Sequence, residues 1–236
     1  MKKIMLTIGL CVPAMLFAQD QAFSLKIKVD KIPAAARVYI SYTVNGTHIL
    51  DSVNVKNGQF EFKGKLSEPV QAKLLLDHQG AGQENVGANP DMTSLFLEKG
   101  IITMQSPDSL KHAEIKGSPI NKEHKRYEQF LDAPKLQMSK VNEEYELATE
   151  DTKKDPAFMK GLELRFRKAF EDRKVLQKEF VKTNPNSYFS LIALEESAGK
   201  KLDVAEAETL YNSLSAPLRD SRLGKEFAAR ILAAKQ

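Results

Sequence analysis

Cys11 is the chain's one cysteine, and so the only residue able to act as a thiolate nucleophile, form a disulfide or bind a soft metal through sulfur. It lies in a segment that reads as a cleavable export signal. Met1-Lys2-Lys3 is a short basic start, Ile4 to Phe17 is an apolar run, and Leu16-Phe17-Ala18 places a small residue at the cleavage point before Gln19. Cleavage after Ala18 leaves a mature chain without cysteine, expected in the periplasm and devoid of thiol, disulfide or thiolate–metal chemistry. A lipid anchor at Cys11 would need a small residue directly before it, and Leu10 stands there instead. A membrane-spanning helix needs about 20 apolar residues, and this run is shorter and broken by Pro13. No later stretch is apolar enough, so no transmembrane segment is expected once the signal is removed.

The remaining reactive residue types do not form a recognisable constellation. His48, His78, His112 and His124 have no histidine four residues away and no spacing of the His-Glu-x-x-His kind, so each is expected on a surface or a strand edge. No Gly-x-Ser-x-Gly elbow exposes a serine nucleophile. Glu143-Glu144 and Glu195-Glu196 are carboxylate pairs, but neighbours on a helix diverge, whereas acid–base work needs convergence in a cleft. Gly80-Ala81-Gly82 suggests a phosphate cradle, yet no helix is expected after it to supply the N-terminal amides that attract an anion. The reading is therefore of no catalytic, cofactor-binding or metal-ligating residues, no cofactor, and a non-enzymatic protein. The Met and Phe residues of the helices are expected to be core.

The elements that would position any site change character near Gly117. Before it, apolar residues alternate: Phe23, Leu25, Ile27 and Val29 point one way, Ser24, Lys26 and Lys28 the other. Further strands are expected at Arg37 to Thr43, Thr47 to Val55, Gln59 to Leu66, Val70 to Leu76, Ser94 to Leu97, Ile101 to Gln105 and Ala113 to Ile115. Asn45-Gly46 and Asn57-Gly58 are hairpin turns, both residues tolerating positive φ. Asp77 to Thr93 is a long loop rich in Gly, Asn and Gln, the best place on this half for a partner to touch. These strands predict an antiparallel β-sandwich or open barrel over residues 19–117.

Over residues 118–236 the period becomes helical. Tyr127, Leu131, Met138, Val141, Tyr145 and Ala148 share one face, with a kink or restart expected at Pro134. Asp155-Pro156 starts a helix whose stripe is Phe158, Leu162, Phe166, Ala169, Phe170, Leu176 and Phe180. Glu150 to Lys154 is a polar connection between them, so the two fold back as an antiparallel hairpin. Asn184-Pro185-Asn186-Ser187 caps a helix over Tyr188 to Ala198, and helices follow at Val204 to Leu214 and Arg222 to Ala234. The fold class is α+β.

Composition narrows the partner. Hydrophobic residues are 42% and charged residues 28% of the chain, ordinary for a folded globular protein. The net charge of +4 includes Lys2 and Lys3, leaving +2, and basic residues alternate with acids along Lys140 to Glu150 and Glu163 to Glu179. A nucleic-acid reader concentrates its cations on one surface, so nucleic acid is excluded as the expected partner.

Several stretches together resemble a known domain. They are Asp51-Ser52-Val53, Asn57-Gly58-Gln59-Phe60-Glu61-Phe62-Lys63-Gly64 with Pro69, Leu97-Glu98-Lys99-Gly100-Ile101-Ile102, Ile115-Lys116-Gly117-Ser118-Pro119-Ile120-Asn121, Asn184-Pro185-Asn186-Ser187, and Leu210 to Arg230. Their order resembles the domain of unknown function at the N-terminus of exported thiol-disulfide oxidoreductases of the TlpA/ResA-like kind. In those proteins a thioredoxin-fold domain with a Cys-x-x-Cys site follows; here there is no Cys-x-x-Cys, and no redox residue carries over. The resemblance implies either the N-terminal portion of such an oxidoreductase or an accessory to one. The residues themselves favour an exported binding or scaffold module with an unknown protein partner, a carrier of small apolar ligands being the third reading.

Overall fold

Strict alternation builds the first half of the computed structural model, which describes residues 21–236; the expected export signal and Cys11 lie outside them. The described chain divides after Gly117 into two compact units.

The first unit contains β1 (Gln21–Val29), β2 (Arg37–Val44), β3 (Thr47–Asn54), β4 (Gln59–Leu66), β5 (Val70–Asp77), β6 (Asp91–Leu97), β7 (Gly100–Ser106) and β8 (Glu114–Lys116). They form two four-stranded sheets, ordered β4-β1-β7-β8 and β3-β2-β5-β6, a sandwich rather than a closed barrel. Phe23, Leu25, Ile27, Val29, Phe60, Phe62, Ile102 and Met104 of one sheet share a buried core with Val38, Ile40, Leu74, Leu76, Leu95 and Leu97 of the other. Alternation decided which face went inward, because a one-residue slip would expose the whole set.

Two features depart from a simple run of hairpins. Asn57 and Gly58 adopt φ 51° and 73°, and Lys56 and Gln59 exchange backbone bonds across them. The turn does not return β4 along β3, however; it carries the chain into the other sheet, where β4 pairs with β1. The Gly58 carbonyl accepts the Val29 amide at 2.8 Å, and a Cβ on Gly58 would lie 2.6 Å from the Val29 carbonyl oxygen. Secondly, β1 and β7 run parallel, from Phe23 opposite Gly100 to Val29 opposite Ser106, within an otherwise antiparallel sandwich. Parallel neighbours need a long crossover, and β2 to β6 supply it.

The second unit is helical: α1 (Pro119–Phe130), α2 (Asp132–Leu147), α3 (Glu150–Lys153), α4 (Pro156–Thr183), α5 (Tyr188–Ala198), α6 (Val204–Ser213), α7 (Ala216–Asp220) and α8 (Arg222–Ala234). Ser118, Thr149, Asp155, Ser187, Asp203 and Ser221 each accept an amide hydrogen from the first turn they cap. The restart expected at Pro134 falls at Leu131, φ −99° and ψ 6°, between α1 and α2. Pro134 sits in the first turn of α2, where a missing amide hydrogen costs nothing. The Glu150 to Lys154 connection contains a helical turn, α3, and α7 is an additional short helix. α2 and α4 pack as the expected hairpin.

Candidate functional site

The loop between β5 and β6 is tied down by two carboxylates. Asp77, 3% exposed, accepts the amides of Gln79 at 3.0 Å and Gly80 at 2.9 Å on Oδ1 and of Gly82 at 2.8 Å on Oδ2. The amides of Gln79, Gly80 and Gly82 thus cradle an anion, but it is the chain's own. A single 3-10 turn, Gln83–Asn85, does follow, which corrects the expectation of no helix there; it is too short to offer an anion site. Asp91 closes the loop's other end, accepting from the Leu110 and Lys111 amides at 3.1 and 3.3 Å and lying 3.0 Å from His78 Nε2.

The structure does not bring the four histidines together. His48 lies exposed on β3, an edge strand. His78 pairs with Asp91, and His112 Nδ1 lies 2.7 Å from Asp108. His124, half-buried, stacks on Phe189 at 5.1 Å between centroids. Burial holds its pKa below the ordinary value; Glu128 opposes the shift, Lys135 adds to it and Glu196 opposes it. Among the described residues no group of three His, Cys, Asp or Glu is placed to hold a metal ion.

The carboxylate pairs separate, as helical neighbours must. Glu144 binds Arg165 at 2.7 Å, a hydrogen bond that lowers its pKa. Glu195 binds Arg230 at 2.6 Å, while Glu196 binds Arg173 at 2.9 Å. Glu196 also accepts from the Tyr127 hydroxyl at 3.2 Å and from Gln177 Nε2, which donates in addition to the Tyr127 oxygen at 3.1 Å. Burial first, then the Glu196 charge, raises the Tyr127 pKa well above its ordinary value, so the hydroxyl keeps its proton. The phenol is a fixed donor that joins α1, α4 and α5.

Between α2 and α4 the helical unit has an apolar groove of about 480 Å³. Val141, Asn142 and Tyr145 line it from α2; Met159, Leu162, Glu163, Phe166, Arg167 and Phe170 line it from α4. Leu162 and Val141 form its buried floor, while Tyr145, Met159, Phe166 and Phe170 are 37–41% exposed. The expectation that helical Met and Phe residues are core holds for Phe180, Phe189 and Phe227, and is corrected for Phe130, Met159, Phe166 and Phe170. The signal for this was the width of the stripe. Phe158 to Phe170 covers about a third of the α4 circumference, more than one antiparallel neighbour can bury.

Charges around the groove are satisfied locally. Arg167 pairs with Glu163 and Lys174 with Glu171. Lys153 and Lys174 sit over the rings of Tyr145 and Phe170, 5.1 and 4.7 Å from their centroids. The groove offers apolar contact area and no unbalanced charge at its walls.

Together these features define an α+β protein with an apolar groove between α2 and α4. Residues 23–124 match the model of a family described as Domain of unknown function (DUF4369), from within β1 to His124 in α1. No curated protein and no solved structure matches the chain.

Proposed function

We propose that the protein is an exported, non-catalytic binding module that holds a partner through the α2–α4 groove. The observation that carries this reading is the exposure of Tyr145, Met159, Phe166 and Phe170 around one concave floor. Contiguous exposed apolar surface rimmed by polar residues is the usual mark of an interaction site. Export rests on the Met1 to Ala18 segment, and the secreted protein should have the intact mass of a chain beginning at Gln19.

A fluorescent apolar dye such as bis-anilinonaphthalene sulfonate tests the groove. Emission should rise on adding the native protein and fall by most of that increment in the folded double variant Phe166→Asp, Phe170→Asp. Undiminished emission from that variant would remove the groove as the binding site.

A second reading, service to a thiol-disulfide oxidoreductase, draws on the resemblance alone; the family matched over residues 23–124 is described as a domain of unknown function. Its expected outcome is faster insulin reduction by a thioredoxin-fold enzyme when this protein is added. The protein alone should stay at the uncatalysed rate, since thiol exchange requires an attacking thiolate.

A further inference from the structure

Met159, Phe166, Phe170, Arg173 and Gln177 follow one another on α4 at spacings of seven, four, three and four, so they lie along one side of the helix. The C-terminal part of that line is covered. Arg173 and Gln177 both bond Glu196 of α5, and α5 runs antiparallel to α4 until it ends at Ala198, beside Glu171 and Lys174. Gly199, at φ 59°, turns the chain away there. Phe170, Phe166 and Met159 continue the same line past the end of α5, and there the groove opens.

We infer that the occupant of the groove is an amphipathic helix of a partner protein, laid end to end with α5 so that it completes a three-helix layer with α2 and α4. This rests on the binding-module reading above and names its partner. Two observations select a single helix. The face left open from Met159 to Phe170 is roughly 17 Å by 20 Å, roughly 340 Å², short of the roughly 800 Å² per partner of a standard stable interface between globular surfaces. It does suit a helix of three to four turns, which anchors through residues at i, i+3 or i+4, and i+7. The wall charges are already paired with each other, so the contacting stripe of the partner is uncharged.

The probe is a fluorescein-labelled 14-residue helical peptide with leucines at i, i+3, i+7 and i+10 in an Ala/Glu/Lys background, compared with a scrambled peptide of the same composition. Anisotropy titration with the full chain should show saturable binding of the striped peptide only. Phe166→Asp should weaken it at least tenfold, while Leu164→Asp, on the opposite face and 54% exposed, should leave it unchanged. Met159→Glu gives the same test should Phe166→Asp fail to fold. Equal binding of both peptides, or indifference to the groove variants, would overturn the inference. So would a dimer in sedimentation that dissolves with Phe166→Asp, which would assign the groove to a second copy. Dye binding without peptide binding would sink the helix and leave the binding-module reading standing; loss of both would sink the two together.

Discussion

Removing the Asp77 carboxylate would strand three backbone amides at the end of β5. Charge-assisted bonds to a buried acceptor are among the stronger ones, so Asp77→Ala should destabilise the sandwich by about 3 kcal/mol in urea unfolding. Asp77→Asn, which keeps one acceptor oxygen, should lose clearly less. At Tyr127 the change to Phe leaves Gln177 and Glu196 each short of a partner, with an expected loss of about 1–2 kcal/mol. His124 gives the helical unit a pH dependence of known sign. Its folded pKa lies below the ordinary 6.5, so the folded state takes up fewer protons than the unfolded one. Stability is therefore full above pH 6.5 and falls as pH drops from there through the folded pKa. In thermal melts at pH 7 and pH 5, His124→Gln should shrink the difference between the two. None of this was legible in the sequence beyond residue types. That Asp77 would fill the Gly80-Ala81-Gly82 cradle, or that His124 would lie on Phe189, depends on chain segments meeting in space.

At the scale of elements, buried and exposed positions of one stripe should answer differently. Leu162, 5% exposed, should cost about 2–3 kcal/mol on change to Ala, because a cavity opens in the hairpin. Phe166→Ala, a large side chain in the same groove, should stay within about 1 kcal/mol. An equal loss at both positions in chemical unfolding would mean that the groove residues serve packing. Gly58→Ala should cost about 2 kcal/mol or more, combining a left-handed φ with a backbone carbonyl only 2.6 Å from the new Cβ. Elements themselves were the most legible level. All eight strands, the cap at Ser187 and the start at Asp155-Pro156 follow from alternation, Asn-Gly pairs and capping chemistry that act within a few residues. The partners of those elements were less so. Nothing local in Gln59–Leu66 says that β4 leaves β3 for β1, and a helical stripe records that a face is apolar without recording how much of it a neighbour reaches.

Across the whole molecule, the sandwich core is drawn from residues 23 to 115 alone. A fragment of residues 21–117 should accordingly keep a cooperative thermal transition, and broad, non-cooperative melting would show that the core is incomplete without the helical unit. The parallel contact between β1 and β7 bears on the order in which that core can assemble. As the chain emerges, β2 and β3 meet across a two-residue turn, and β5 and β6 across the loop that Asp77 fastens. β1, made first, has one edge that stays open until Gly100–Ser106 has been synthesised. Closing that edge is among the longest loop closures in the unit, so it belongs late in folding. The β2–β5 sheet is then the nucleus. Val38→Ala or Leu74→Ala should slow refolding, whereas Ile102→Ala should chiefly speed unfolding. Until β7 docks, the newborn protein carries an apolar strand paired along one edge at most, the segment most in need of a chaperone's cover.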